Sequence, residues 1–417
     1  MIVNFSIQNF GSIKDKQTLS FEADASKYLE DTYVVHTAGK RLLKLALIYG
    51  ANASGKTTVL KALDFLRDLV VNPKEMKYHS LKFSPFLFDK KTILQPSFLS
   101  IEFVQNSICY LYEVKFTHQS ILSEKLISGE VIVYSRETST EKLLTEISFG
   151  NKITISDNEK KTLEINTLHN NTVLGGYLKT NVDIDILKEV VNWFKFHLKP
   201  IILSHTILDN FVTRNIDKGD IEKQSIIDIL SKADFHISDI SIKKVIEDIT
   251  DYSFEELSKK GVKDLKPIDH IEIAFKHFVN GNQYALPFEL ESEGTKRFYG
   301  FAGLLALLIK TPTIFPIDEL ESSLHPDLYT HFLLSFLQNA QHSQLIATTH
   351  NRELLGDTDI FRNDVIWFTN KGEDCATELY SLADFDTSAI KNFLNAYKIG
   401  KFSGVPRLSD TFIDLEQ

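Results

Sequence analysis

Gly50-Ala51-Asn52-Ala53-Ser54-Gly55-Lys56-Thr57 is the stretch from which the rest of the chain is read. It satisfies every fixed position of the phosphate-binding pattern G-x-x-x-x-G-K-[ST]. Ahead of it, Leu43 to Tyr49 is an apolar run suited to a buried strand; after it, Thr58 to Leu66 carries apolar residues at helical spacing. Two glycines let successive N–H groups point into one concavity. That concavity sits at a helix N-terminus, where orphan donors and the helix dipole favour an anion. Lys56 is placed to reach β- and γ-phosphates, and the Thr57 hydroxyl to ligate Mg²⁺. The candidate nucleotide-binding residues are Gly50, Asn52, Ala53, Ser54, Gly55, Lys56, Thr57 and Thr58.

Size and composition set bounds. With 417 residues the chain can bury a large core and form two or three subdomains. Its 43% hydrophobic and 24% charged residues are ordinary for a globular protein. A net charge of −10 does not fit a dedicated basic nucleic-acid module, although a local basic groove is compatible with it. Cys109 and Cys375 are isolated, which implies neither a metal motif nor a disulfide framework and fits a reducing compartment. Met1 to Ile7 lacks the cationic start and long apolar core of a signal peptide. The longest apolar run, Phe298 to Ile309, is too short to cross a bilayer. The expected location is the cytoplasm, with no membrane partner.

Residues 2–7 and 18–21 alternate like strands around a turn at 9–14, which predicts an early hairpin beside the phosphate-loop strand. Residues 97–104 and 109–116 show period two on either side of Gln105-Asn106-Ser107, and further strands are expected over 121–134 and 146–155. A largely antiparallel sheet should therefore cover residues 85–160. Beyond Gly175-Gly176, the stretches 184–196, 223–233 and 240–249 carry helical periodicity. The polar, basic run Ser258 to Lys266 reads as a solvated loop, with contact to nucleic acid or a partner as the sharper alternative. Residues 271–275 and 284–288 read as two strands around Asn280-Gly281-Asn282. The expected division is 1–175 as an N-terminal lobe, 176–266 as a helical insertion and 267–417 as a C-terminal lobe.

Thr313-Ile314-Phe315-Pro316-Ile317-Asp318-Glu319 is an apolar strand ending in two carboxylates, a Walker B pattern. Asp318 suits Mg²⁺ opposite the phosphate loop, and Glu319 suits polarisation of a water against a γ-phosphate. Pro316 removes a ladder donor, so a bulge or local end of pairing is expected there. Leu345 to Thr349 is a second strand running into His350, which is placed as a γ-phosphate sensor.

The order of these motifs resembles an ABC-class ATPase head of the SMC, RecF and OLD group: Walker A, Ser292-Glu293-Gly294-Thr295 before a helix, Asp318-Glu319, Glu321-Ser322-Ser323-Leu324-His325, then Thr348-Thr349-His350. The resemblance covers roughly residues 1–130 and 267–370. It implies an α/β fold, an ABC-type P-loop ATPase head with an antiparallel β subdomain and a helical insertion. Ser292 and Gly294 correspond to the group's signature motif, with Glu293 replacing its first glycine; Glu321 to His325 resembles the D-loop. The mechanism implied is a homodimer, or a higher homo-oligomer, that sandwiches two ATPs. In it Ser292 and Gly294 of each copy complete the other's phosphate loop. Asp318 and Thr57 hold Mg²⁺, Glu319 activates water, and His350 reads the γ-phosphate. Gln95 or Gln105 would serve as the group's glutamine loop.

The start, Phe5 to Ile13, and the end, Tyr397 to Arg407, resemble stand-alone ATPase subunits of bacterial anti-phage abortive-infection systems. About 67 residues follow His350, too few for a nuclease domain, so the expected effector is a separate OLD-like nuclease or toxin. DNA is a further partner the resemblance allows. A RecF-like ATP-dependent DNA clamp in repair is the alternative, and a scaffold that binds ATP but barely turns it over is a third.

Overall fold

The computed structural model describes residues 1–139, 141–247, 268–357, 359–387, 390 and 392–405. The chain divides into two compact units. The first comprises Met1–Ser204, Thr311–Leu320 and Leu337–Gln417; the second comprises His205–Lys310 and Glu321–Phe336.

The first unit opens with a hairpin, β1 (Ile2–Gln8) against β2 (Gln17–Ser20), and a small pair, β3 (Val34–Thr37) and β4 (Lys40–Leu43). The phosphate-loop strand β5 (Leu45–Gly50) follows, all six residues buried. The chain then enters α1 (Lys56–Val71), whose buried Val59, Leu60, Leu63, Leu66 and Val70 recur at the spacing of one helical face. A meander comes next: β6 (Ser97–Gln105), β7 (Ile108–Phe116), β8 (Ile121–Ser128), β9 (Val131–Thr138) and β10 (Thr145–Phe149). These strands form a seven-stranded antiparallel sheet in the order β10-β9-β8-β7-β6-β1-β2. The early hairpin belongs to this sheet and does not pair with β5. Asn106 (φ 48°) and Ser107 (φ 62°) both take the left-handed conformation that a two-residue hairpin turn of primed type requires. Two side chains tie this sheet to the other: Gln344 donates to the carbonyls of Ile2 (2.9 Å) and Leu43 (3.0 Å), and Gln17 accepts from the Leu379 N–H (2.8 Å).

The second sheet of this unit carries the site. Its order is β14-β15-β5-β16-β17, from β14 (Ile314–Ile317), β15 (Gln344–Thr348), β16 (Ile366–Lys371) and β17 (Thr377–Ser381). β14, β15, β5 and β16 run parallel and β17 is antiparallel. Parallel strands covered on both faces are apolar throughout, which is why this sequence shows runs rather than alternation. Pro316 does not interrupt the pairing expected to fail there, for β14 stays in register with β15 through Ile317. Its backbone faces the other side, where the Ile202 N–H donates to the Pro316 carbonyl (2.9 Å) and the Asp318 N–H donates to the Ile202 carbonyl (2.8 Å). The missing donor thus falls on a flank bridged at Leu198 and Ile202.

The first unit also holds α2 (Asp185–Asn192), continued by a π-turn whose Trp193 stacks on Phe103 at 3.9 Å. In the second unit α3 (Asp209–Lys218), α4 (Lys223–Lys232) and α5 (Glu293–Lys310) accompany a three-stranded antiparallel sheet. That sheet is β11 (Ile237–Glu247), β12 (Ile268–Val279) and β13 (Asn282–Pro287). A Cβ on Gly303 would stand 2.3 Å from Val212 Cγ2, so α3 and α5 cross at a glycine contact. Residues 237–247 are strand where periodicity over 240–249 predicts helix. Ile240 and Ile242 also alternate, and pairing with β12 along the whole of β11 decides between the two periods. The helical insertion expected over 176–266 is accordingly mixed, with β11 following α2, α3 and α4. The basic run 258–266, and Pro406 and Arg407, lie outside the described residues.

Candidate functional site

The phosphate loop leaves β5 at Gly50 and re-enters regular structure at Gly55, whose φ of 108° no other residue adopts readily. Ala53 is also left-handed, at 60°. The loop is seated by hydroxyls from distant parts of the chain. Thr369 Oγ1 lies 2.5 Å from Ser54 Oγ. Thr377 Oγ1 lies 2.8 Å from both the Ser54 carbonyl and Ser12 Oγ, and Ser12 Oγ lies 3.0 Å from Thr58 Oγ1. These neighbours leave no room for side chains: a Cβ at Gly50 would fall 2.3 Å from Thr369 Oγ1, and one at Gly55 would fall 2.2 Å from Thr377 Oγ1. Lys56 is 6% exposed and donates to the Gly50 (2.9 Å) and Ala51 (3.1 Å) carbonyls. Asn52 and Ala53 are exposed on the loop's outer curve.

Asp318 is brought to the loop by β14. Its two oxygens each lie 3.0 Å from the Thr57 hydroxyl. Thr348, at the end of β15, donates to Asp318 Oδ1 (2.6 Å) and accepts from the Glu319 N–H (2.8 Å). That second bond fixes Glu319 in a left-handed conformation, φ 49°, which costs on the order of 1–2 kcal/mol for a residue with a Cβ. The Glu319 side chain is thereby turned outward, half-exposed, with Oε1 3.9 Å from Nε2 of His350. Carboxylate and hydroxyl oxygens from Asp318, Thr57 and Thr348 are the hard donors that Mg²⁺ takes alongside phosphate, and the glycine cradle is of the kind a polyphosphate fills.

Two clefts flank the loop. One, of about 660 Å³, is lined by Gly50, Ala51, Asn52, Ser54, His350, Arg352, Asn370, Lys371, Tyr397 and Val405, with no carboxylate among these residues. The other, of about 700 Å³, runs past Gly11, Thr58 and Lys61 to Phe10 and Phe83, whose rings stack at 5.8 Å.

Sequence reasoning thus named Gly50 to Thr58, Asp318, Glu319 and His350, which the fold brings together in the first unit. It missed Ser12, Thr369 and Thr377, hydroxyls that meet the loop only in three dimensions. Thr348 stands in the motif beside His350, but its bonds to Asp318 and Glu319 form only in the folded sheet. Ser292 and Gly294 lie in the second unit. There Ser292 Oγ accepts from the Thr295 N–H (3.1 Å) at the start of α5, an N-cap interaction. A Cβ on Gly294 would make ordinary contact with Ser292 Oγ at 3.8 Å and the Ser323 carbonyl at 3.9 Å. Ser323 of the following Glu321–His325 turn is left-handed, φ 62°. Gln95 ends a short 3₁₀ turn and Gln105 closes β6 opposite Ile108. Neither lines the two clefts, and the segment that flanks β14 (198–202) contains no glutamine.

The family described as "AAA domain, putative AbiEii toxin, Type IV TA system" matches residues 45–170 and 191–356. The chain belongs to this family. Its match takes in the phosphate loop, Asp318, Glu319 and His350. No curated protein matches the chain. Solved structures similar to it include the SMC head domain from Thermotoga maritima, 14% identical over 91% of this chain and 98% of that one, TM-score 0.41. Others are an SmcHead bound to the C-winged helix domain of ScpA (12% identity, 91% and 97% covered, TM-score 0.44) and an Smc head domain with an extended coiled coil bound to the C-terminal domain of ScpA derived from Pyrococcus furiosus (12%, 96% and 98%, TM-score 0.40). Among the described residues no helix is long and apolar enough to cross a membrane.

Proposed function

We propose that the chain is an ATP-hydrolysing gate subunit of a bacterial anti-phage defence system, acting as an ABC-type ATP-sandwich dimer that controls a separate effector. The observation that carries the ATPase part is the Asp318 carboxylate held between the Thr57 and Thr348 hydroxyls at the mouth of the phosphate loop. The defence part draws on the toxin and type IV TA system in the family's description.

In this reading Gly50 to Thr58 bind the phosphates through backbone N–H groups, and Lys56 exchanges the Gly50 and Ala51 carbonyls for phosphate oxygens. Thr57 and Asp318 would hold Mg²⁺. Bound there, Mg-ATP supplies the transferable phosphoryl group, its charge partly neutralised by the metal. Glu319, turned outward by its backbone, would orient and polarise a water, and His350 beside it would read the γ-phosphate. The Phe10–Phe83 cleft, which reaches Thr58, would take the base. Ser292 and Gly294 are offered to a second copy, a reading that the exposure of Ser292 supports. Release on hydrolysis would then free the effector, a nuclease or toxin.

The test is solution mass of wild type and Glu319→Gln with and without Mg-ATP, alongside phosphate release. Turnover abolished by Glu319→Gln, with an ATP-dependent dimer or larger assembly trapped, is the expected result. Turnover that survives the change, with mass unaltered by ATP, overturns the assignment of Glu319, Ser292 and Gly294.

A further inference from the structure

Residues 393–405 lie beyond the segments the family matches, yet they pack on the phosphate loop. Helix α6 (Pro326–Asn339) precedes β15, and α7 (Phe393–Lys398) ends in a turn whose Gly400 (φ 79°) and Gly404 (φ 66°) are left-handed. Phe402 anchors the turn, its buried ring stacked on Phe368 of β16 at 5.5 Å and edge-on to Phe385 at 5.4 Å. Tyr397 stacks on the other side of the same cluster, 5.5 Å from Phe368 and 6.2 Å from Tyr49 of β5. Two phenols close the turn. Tyr380 donates to the Phe402 carbonyl (2.7 Å), and Tyr397 donates to the Gly404 carbonyl (2.9 Å).

The consequence falls on Gly50. A Cβ built on Gly404 would stand 3.4 Å from the Thr369 carbonyl and 3.7 Å from Gly50 Cα, so the turn's backbone lies directly against the loop's first glycine. On its other sides Gly50 is confined by Thr369 Oγ1 and Ser54 Oγ. Its carbonyl is one of the two on which the Lys56 ammonium rests.

We propose that Tyr397 is a positioning residue of the phosphate loop: its hydroxyl holds Gly404 against Gly50 and so keeps the loop in its binding conformation. The effect on turnover rests on the nucleotide-binding reading above; the effect on the loop itself does not. When Lys56 leaves the Gly50 carbonyl for a phosphate, the loop loses an internal tie at that residue. The turn at 399–405 supplies a tie the lysine does not release, and the loop's N–H groups remain aligned. Asp318 and Glu319 follow β14 and lie outside the cleft that Tyr397 shares with Gly50 and His350. Loosening the turn therefore weakens nucleotide binding and leaves the chemical step nearly intact.

The full chain is compared with Tyr397→Phe, which removes one hydroxyl, and Gly404→Ala, which opposes the left-handed backbone. Tyr33→Phe is the control, deleting another buried phenol bond, to the Ile360 carbonyl. The readouts are hydrogen–deuterium exchange of residues 50–58 in nucleotide-free protein and steady-state phosphate release. Tyr397→Phe is expected to speed exchange across the loop about fivefold, the scale of one lost hydrogen bond, with β6–β7 unchanged. KM for Mg-ATP should rise about fivefold with kcat within about twofold, and Gly404→Ala should act in the same direction. Loop exchange in Tyr397→Phe and Gly404→Ala equal to that in Tyr33→Phe overturns the proposal, as does a fall in kcat at unchanged KM. If the wild type neither binds nor hydrolyses ATP, the functional reading fails and the exchange data still decide the role of Tyr397.

Discussion

Two buried carboxylates in the first unit meet opposite fates. Glu124 of β8 is 2% exposed and accepts from Tyr112 (2.8 Å), Tyr134 (2.6 Å), the Val173 N–H (2.8 Å) and Arg136 (3.5 Å). Every one of those donors is fixed by the sheet or by the short helix Val173–Tyr177. Burial pushes both tyrosines well above their usual range and holds the Arg136 guanidinium below its own, the penalty of a network closed to water. Asp318 is 8% exposed and is met by two threonine hydroxyls, whose oxygens move with χ1 where a tyrosine oxygen stays on the axis of its buried ring. A carboxylate with fixed donors has no capacity left for a ligand. One with rotatable hydroxyls can trade them for a metal ion and lose little.

The largest expected effect is on stability. Glu124→Gln strands the Arg136 charge in a dry site and should cost about 3–5 kcal/mol in urea unfolding. Asp318→Asn should stay within about 1 kcal/mol of wild type. If the two variants cost the same, the contrast fails. Next, Asp318→Asn should lower Mg-dependent phosphate release by at least about a hundredfold. Glu124 variants that fold should keep turnover within about twofold. Thr348→Val sharpens the picture, because one hydroxyl serves both Asp318 and the Glu319 backbone. Its loss should cost about 1–2 kcal/mol and about tenfold in turnover.

The smallest effect concerns a third buried charge. Lys44 donates to the Leu337 (2.7 Å) and Ala340 (3.0 Å) carbonyls, and burial lowers its pKa to about 8. Between that value and the ordinary one the unfolded chain binds the extra proton, so stability rises as pH climbs from 8 towards 10.5. Lys44→Met should remove this increment, read as the difference between the two proteins' melting temperatures at pH 8 and pH 10.

What the sequence disclosed follows from how local each signal is. The phosphate loop, the Walker B strand and the period-two meander over 97–149 are written in contiguous residues. So is the apolar run of α5. Residues 237–247 misled because Ile240, Ile242, Val245 and Ile246 satisfy either period, and only pairing with β12 selects one. Pro316 misled because its cost depends on which neighbour its nitrogen faces. Ser12, Thr369 and Thr377 had no local mark at all. A hydroxyl far along the chain becomes part of a phosphate loop only when the sheet places it there.

The tight fit of Gly50 and Gly55 against Thr369 and Thr377 bears on chimeras. A phosphate loop is commonly treated as a portable cassette, eight residues that could be exchanged between homologous chains. Here its inner wall is the β16–β17 hairpin, encoded some 320 residues downstream of the loop. A transplanted loop would meet a foreign wall at separations where a single methyl group does not fit. The exchangeable part is therefore the pair, loop and hairpin together.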